Sequence, residues 1–167
     1  MKSSIRRLQA ASLKNNCDDN TSSMKTTKED ELLERTCIVA DQSSGECVPH
    51  PKFACVIVDA NTGDIVCEAF QFGQAGEKCE TIVERKMREV MTKDKETTYD
   101  VYLNMEPVHG INVSGETRSV DALTRMRLRV RRIVIGMLHP NMKFRGNAIK
   151  ELIEKSGFEK EQIIVCE

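Results

Sequence analysis

Three groups of residues in this chain have types and spacing that could do chemistry. Lys78, Cys79 and Glu80 are consecutive at the expected start of a helix. A carboxylate there could contact a ligand, or could simply favour the positive end of the helix dipole. Lys78 beside it either neutralises a bound anion or stands in solvent. His139-Pro140-Asn141 and Arg145-Gly146 follow an apolar run, where ligands tend to bind in open α/β sheets. The other reading is a turn whose backbone Pro140 and Asn141 set. The stretch "RMRLRVRR" (125–132), with Arg118, packs six arginines into 15 residues with only Asp121 against them. Phosphate or nucleic-acid contact through Arg125, Arg127, Arg129, Arg131 and Arg132 is one reading. A basic helix end followed by a buried strand is the other, and no aromatics are interleaved.

The hydrophobic pattern says what must position these groups. Thr26 or Thr27 can cap a helix whose first turn holds Glu29, Asp30 and Glu31, and which runs to about 43–45. "ACVIVDANTGDIVCEAF" reads as two strands, 54–59 and 64–70, around an Asn61-Thr62-Gly63 turn. "CETIVERKMREVMTK" (79–93) is an amphipathic helix with Ile82, Val83, Met87, Val90 and Met91 on one side. "TTYDVYLNM" (97–105) is a third strand, and 117–127 a helix with Val120, Leu123 and Met126 at three-residue spacing. "RRIVIGML" (131–138) is apolar enough for a parallel strand buried on both faces. A helix over 147–157, closed by Gly157, and a strand over 162–167 finish the chain. The order α-β-β-α-β-α-β-α-β predicts an α/β fold: a three-layer α/β/α sandwich on a mixed five-stranded sheet.

Composition bounds the function. Residues 1–25 are polar and read as a disordered tail, leaving one domain over 26–167. Asp18 and Asp19 argue against a transit peptide, and no apolar h-region or membrane-length stretch is present. The formal net charge of −1 and the absence of Trp give no global footprint for nucleic acid and no base-stacking platform. Seven cysteines, an odd number at wide spacing with no Cys-x-x-Cys, point to reduced thiols in an intracellular protein, cytoplasmic or nuclear.

Four motifs fall in order on these elements: "HPKFACVIVD" (50–59), "AGEKCE" (75–80), "YLNMEP" (102–107) and "RIVIGMLHPNMKFRGNAIKELIEKSGF" (132–158). Together they resemble the deaminase domain of the riboflavin-biosynthesis pyrimidine deaminases, within the cytidine deaminase-like superfamily. The resemblance spans about residues 28–166. In that superfamily a His and two Cys hold a zinc ion whose bound water becomes hydroxide, and a Glu two residues after the His moves protons. The resemblance places Glu80 at the proton-moving position. It places Lys78 at the His position and Val108 at the first Cys position. The second Cys falls between Thr117 and Asp121, with Ser119 central, and no cysteine lies between Cys79 and Cys166. Lys offers no lone pair as an ammonium and Val offers none at all, so the usual zinc site is not expected. Cys79, His109 and Asp121 could form a rewired site near the same pocket, although their spacing matches no recognised ligand set. The alternative is that Cys79 packs and His109 sits in a solvated loop.

A reductase domain follows in many bacterial relatives, whereas this sequence stops at Glu167. What the resemblance implies is therefore a catalytically inactive pseudo-deaminase that needs no cofactor. It would serve as a scaffold, as a homodimer or as partner of an active enzyme. A pyrimidine deaminase subunit of the riboflavin pathway is the enzymatic alternative. An RNA- or nucleotide-binding module is the third. Small-molecule contacts would fall to His109, His139, Asn141 and Arg145.

Overall fold

Thr27 begins the first described element as the sequence leads one to expect. Its side chain accepts the Asp30 N–H, and the Asp30 carboxylate accepts the Thr27 N–H, a reciprocal cap that starts α1 (Lys28–Asp41). The computed structural model describes residues 27–43, 50–73, 76–108 and 118–166. The tail expected over 1–25, together with Cys17, Cys47 and His109, lies outside the described residues.

After α1 come β1 (Ala54–Asp59), β2 (Ile65–Phe70), α2 (Cys79–Lys93), β3 (Tyr99–Leu103), α3 (Ser119–Met126), β4 (Val130–Ile135), α4 (Asn147–Glu154) and β5 (Ile163–Val165). The hairpin between β1 and β2 turns where Asn61-Thr62-Gly63 predicts. The Asp59 carboxylate accepts the N–H groups of Asn61 and Thr62, and Gly63 takes the positive φ of 76°.

The sheet order is β2-β1-β3-β4-β5. β1 runs antiparallel to β2 and β3, while β3, β4 and β5 are parallel. Right-handed crossovers in one direction put successive helices on one face. That face is packed by Val83 and Met87 of α2, Val120 and Leu123 of α3, and Leu152 of α4, against Cys55, Ile57, Val101 and Ile133. α1 covers the other face, with Leu32, Val39 and Ala40 on Val56, Val58, Tyr102 and Val134. Alternate residues of β1 thus feed two cores, the expected three-layer α/β/α arrangement. Among the described residues no helix is long and apolar enough to cross a membrane.

Several boundaries differ from the sequence expectation by a few residues, and three of them have a visible cause. β4 stops at Ile135 rather than 138, because Gly136 folds over the end of β3. Its N–H donates to Leu103 O at 2.8 Å, and a Cβ there would meet Asn104 O at 2.9 Å. β3 stops at Leu103 because the Asn104 side chain turns back to Lys52 O and Ala54 N, both at 2.8 Å. α4 ends at Glu154, not 157. Ser156 and Phe158 then donate to the carbonyls of Glu151 and Leu152, and Gly157 supplies the left-handed turn at φ 72°.

Candidate functional site

The starts of α2 and α3 meet under the end of the sheet. Glu80 (2% exposed) and Ser119 (3% exposed) are both buried there. The Ser119 hydroxyl donates to Glu80 Oε2 at 3.0 Å, and the Cys79 thiol donates to the same oxygen at 3.3 Å. Burial, and then the Glu80 charge, push the Cys79 thiol pKa well above its ordinary value; Cys55 shifts the same way for the same reasons. Cys79 therefore stays a thiol at neutral pH, hydrogen-bonded to Glu80. The Ser119–Glu80 bond joins the first turns of two helices. Ser119→Ala is expected to cost about 1 to 2 kcal/mol in chemical denaturation, because a buried carboxylate loses its oxygen donor. An unchanged denaturation midpoint would show the bond to be idle.

The residues at the family's ligand positions do not fit zinc. Lys78 is the N-cap of α2 without a side-chain cap, and its ammonium lies 3.4 Å from Gln71 Oε1. Val108 packs its apolar side chain at the edge of the main core. Ser119 is committed to Glu80. A tetrahedral site needs thiolate, imidazole or carboxylate donors, and this set supplies none of them at those three positions. For the rewired set, Asp121 is clamped by Arg118 through bonds of 2.7 and 2.9 Å, and Cys79 faces Glu80. Among the described residues no three His, Cys, Asp or Glu side chains form a group suited to a metal ion.

Beside this closed constellation a cavity of about 440 Å³ stays open, lined among others by Phe53, Lys78, Val108, His139, Asn141 and Phe144. His139 lies stacked on Phe53, with ring centres 6.4 Å apart and planes 25° apart. Phe144 meets the imidazole edge-on at 5.3 Å. The Asn141 N–H donates to His139 Nδ1 at 3.1 Å, which leaves the ring hydrogen on Nε2. Arg145 Nε donates to His139 O at 3.3 Å, and Asn141 Oδ1 accepts the Lys143 N–H at 3.0 Å. Of the four residues predicted to contact a ligand, His139 and Asn141 line the cavity, Arg145 braces their loop, and His109 is outside the described residues.

One residue that sequence reasoning passed over holds this loop. Glu106 is fully buried and accepts three backbone N–H groups: His139 at 3.2 Å, Gly146 at 2.8 Å and Ala148 at 3.2 Å. Its signal was a carboxylate directly after an apolar strand, where an unpaired charge is costly.

The arginine run is spent on holding elements together. Arg127 donates to Gly157 O at 2.5 Å, and Arg129 to the carbonyls of Thr97 and Asp94 at 2.9 Å each. Arg131 takes both oxygens of Asp100, at 2.8 and 2.5 Å. Arg132 reaches Asp100 at 2.9 Å, Tyr102 Oη at 3.0 Å and Glu29 at 2.8 Å. Arg125 lies 3.8 Å from Glu84. A phosphate would have to compete with each of these bonds.

No family model matches the chain. It is 31% identical over 134 residues to the chloroplastic riboflavin biosynthesis protein PYRR of Arabidopsis thaliana, an alignment covering 80% of this chain and 20% of that protein. To PYRR of Zea mays it is 32% identical over 127 residues, 72% of this chain and 19% of the relative. The chain thus spans about a fifth of the length of the curated relatives it matches. Among solved structures, RibD of Acinetobacter baumannii superposes with a TM-score of 0.65 at 18% identity, over 83% of this chain and 35% of that one. The Rib2 deaminase of Aspergillus oryzae superposes with a TM-score of 0.59 at 15% identity, over 84% of each chain. The chain is a homologue of the riboflavin-biosynthesis PYRR proteins, built on the cytidine deaminase-like fold of the RibD and Rib2 deaminase domains.

Proposed function

We propose that the chain is a catalytically inactive deaminase-like domain that works by binding, as a scaffold or interaction subunit, paired with itself or with an active partner. The observation that carries this is the Ser119 hydroxyl at 3.0 Å from Glu80. The carboxylate that would move protons is held by a hydroxyl from the helix start where a metal thiolate would stand. Lys78 and Val108 offer no lone pair to replace it. Without a held cation, water is not made into hydroxide at neutral pH, and Glu80 alone does not supply one. The five described cysteines are free thiols, which supports a reducing, intracellular compartment.

A second reading is favoured by the 31% identity to a riboflavin biosynthesis protein. The chain would then be a subunit of a pyrimidine deaminase whose catalytic groups come from another subunit. One experiment separates the two. Purified protein is assayed for bound zinc and for ammonia release from an aminopyrimidine ribose phosphate. Substoichiometric zinc, no ammonia and an unchanged melting temperature in chelator are expected. One tightly held zinc per chain with turnover would overturn the non-catalytic reading.

A further inference from the structure

We propose that the outer edge of β2 is a latent self-pairing surface, to which a second copy of this chain would add its own β2 antiparallel, and that Lys86 holds this edge closed. The inference goes beyond the non-catalytic reading and does not depend on it. It directs any pairing of the native chain with itself to other surfaces.

The ladder shows which backbone groups the edge presents. Among the described residues β2 is the outermost strand on its side of the sheet, with β1 on its inner flank. The Gln71 N–H donates to Phe53 O at 2.9 Å, toward β1. Backbone groups alternate along an antiparallel pair. Ala69 therefore also faces β1, whereas Glu68 and Phe70 aim their N–H and C=O groups outward. Lys86 takes up one of these groups: its ammonium donates to Glu68 O at 2.9 Å. The Glu68 carboxylate is meanwhile forked by Arg35 at 2.9 and 2.6 Å. α2 and α1 thus hold the same edge residue from the two layers. A bulge at Val66, between the pairs Ile57–Cys67 and Val58–Ile65, breaks the ladder further along. A lysine and a bulge are both means of keeping a sheet edge from pairing.

What the edge would otherwise take follows from its own sequence. "IVCEAF" is apolar apart from Glu68 and holds no proline. Set antiparallel about Ala69, two copies place Glu68 opposite Phe70, and Val66 opposite Phe72 just past the strand. No like charges then meet, and an aromatic ring faces a β-branched side chain. Each Glu68–Phe70 pair would exchange both of its N–H···O bonds, and the small Ala69 side chain leaves room at the axis. Space for the added side chains is present as well. Val39, Phe70, Phe72 and Ile82 line an open groove of about 510 Å³ along β2 between α1 and α2. Ile65 and Phe72, at the two ends of the strand, are exposed. Lys86 lines the same groove, so an added strand must strip its ammonium from Glu68 O and crowd a charge out of the way. That penalty rests on one side chain, and removing it opens the edge.

The test is sedimentation velocity of the full chain across a concentration series under reducing conditions, with amide exchange as a second readout. Wild type, Lys86→Met and Lys86→Arg are compared. Lys86→Met is expected to self-associate at a concentration at least about tenfold below wild type. Lys86→Arg keeps a charged donor for Glu68 O and should behave as wild type does. In the associated Lys86→Met protein the amides of Glu68 and Phe70 should exchange about tenfold or more slowly than in wild type. Lys86 is exposed, so its variants should melt as wild type does, and Lys86→Ala takes the place of Lys86→Met if that protein melts lower. A variant that associates no more than wild type, an association that leaves both amides unprotected, or a wild-type assembly that already protects them overturns the inference. None of these outcomes bears on the zinc and ammonia measurements, so the non-catalytic reading stands or falls separately.

Discussion

Glu106→Ala is expected to destabilise the protein by about 3 to 5 kcal/mol, the cost of leaving buried partners of a charge unsatisfied. Glu106 is fully buried at the end of β3 and collects the N–H groups of His139, Gly146 and Ala148. Gly146 is the N-cap of α4 and has no side chain with which to cap it. The carboxylate therefore caps that helix from 40 residues away in sequence, and its charge lies at the positive end of the helix. Alanine would strand three donors and open a void. Glutamine, with one acceptor oxygen, should lose roughly half as much. Urea denaturation gives the midpoint, and amide exchange at Gly146 and Ala148 reports the loop. A loss under about 1 kcal/mol would mean that water replaces the carboxylate readily. The same change should loosen the His139 wall of the cavity, so stability and loop protection should fall together.

Asp100→Ala ranks second, with an expected loss of about 2 to 3 kcal/mol. The Asp100 side chain is 4% exposed and sits between Arg131 and Arg132, which are 50% and 30% exposed. That exposure keeps the loss below the value for a fully buried pair. Burial raises the Asp100 pKa, but the two guanidiniums outweigh it and hold the carboxyl below its ordinary value of 3.8. A carboxyl depressed in the folded state adds stability above its unfolded pKa and loses it as pH falls through the folded value. Wild type should therefore keep this contribution at neutral pH and shed it below about pH 4. Asp100→Asn lacks a titrating group, so its deficit against wild type should narrow as pH drops from 7 to 3. Melting curves across that range would show a constant gap if the ion cluster contributes nothing. Asp94, whose pKa is lowered to about 2 by its bonds to Thr97 and Glu96, adds to the acid sensitivity in the same direction.

Much of the fold was legible because it rests on local patterns. Thr27 with Asp30, the Asn61-Thr62-Gly63 turn and the Val83–Met87 stripe each act within a few residues of themselves. Element ends were less legible. Whether "RRIVIGML" continues as strand past Ile135 depends on how closely Asn104 of another strand approaches Gly136. The site divided the same way. Residue types alone showed that Lys78 and Val108, where the resemblance puts two of the ligands, offer zinc no lone pair near neutral pH. They did not show that Ser119 reaches Glu80 across 39 residues of sequence.

The arginine run shows the limit most directly. Six basic residues in a row of 15 have one appearance in sequence, whether they face a ligand or the protein itself. Their partners include Thr97 and Asp100 at the start of β3, Gly157 after α4 and Glu29 in α1, three separate segments. Periodicity, turn chemistry and capping are short-range, so the chain by itself determined the element order and the two-sided sheet. Pairing of charges and closure of pockets depend on groups brought together from distant parts of the chain. Only tertiary packing could decide that Glu80 is sealed, that Glu106 caps α4 and that Lys78 is left facing an open cavity.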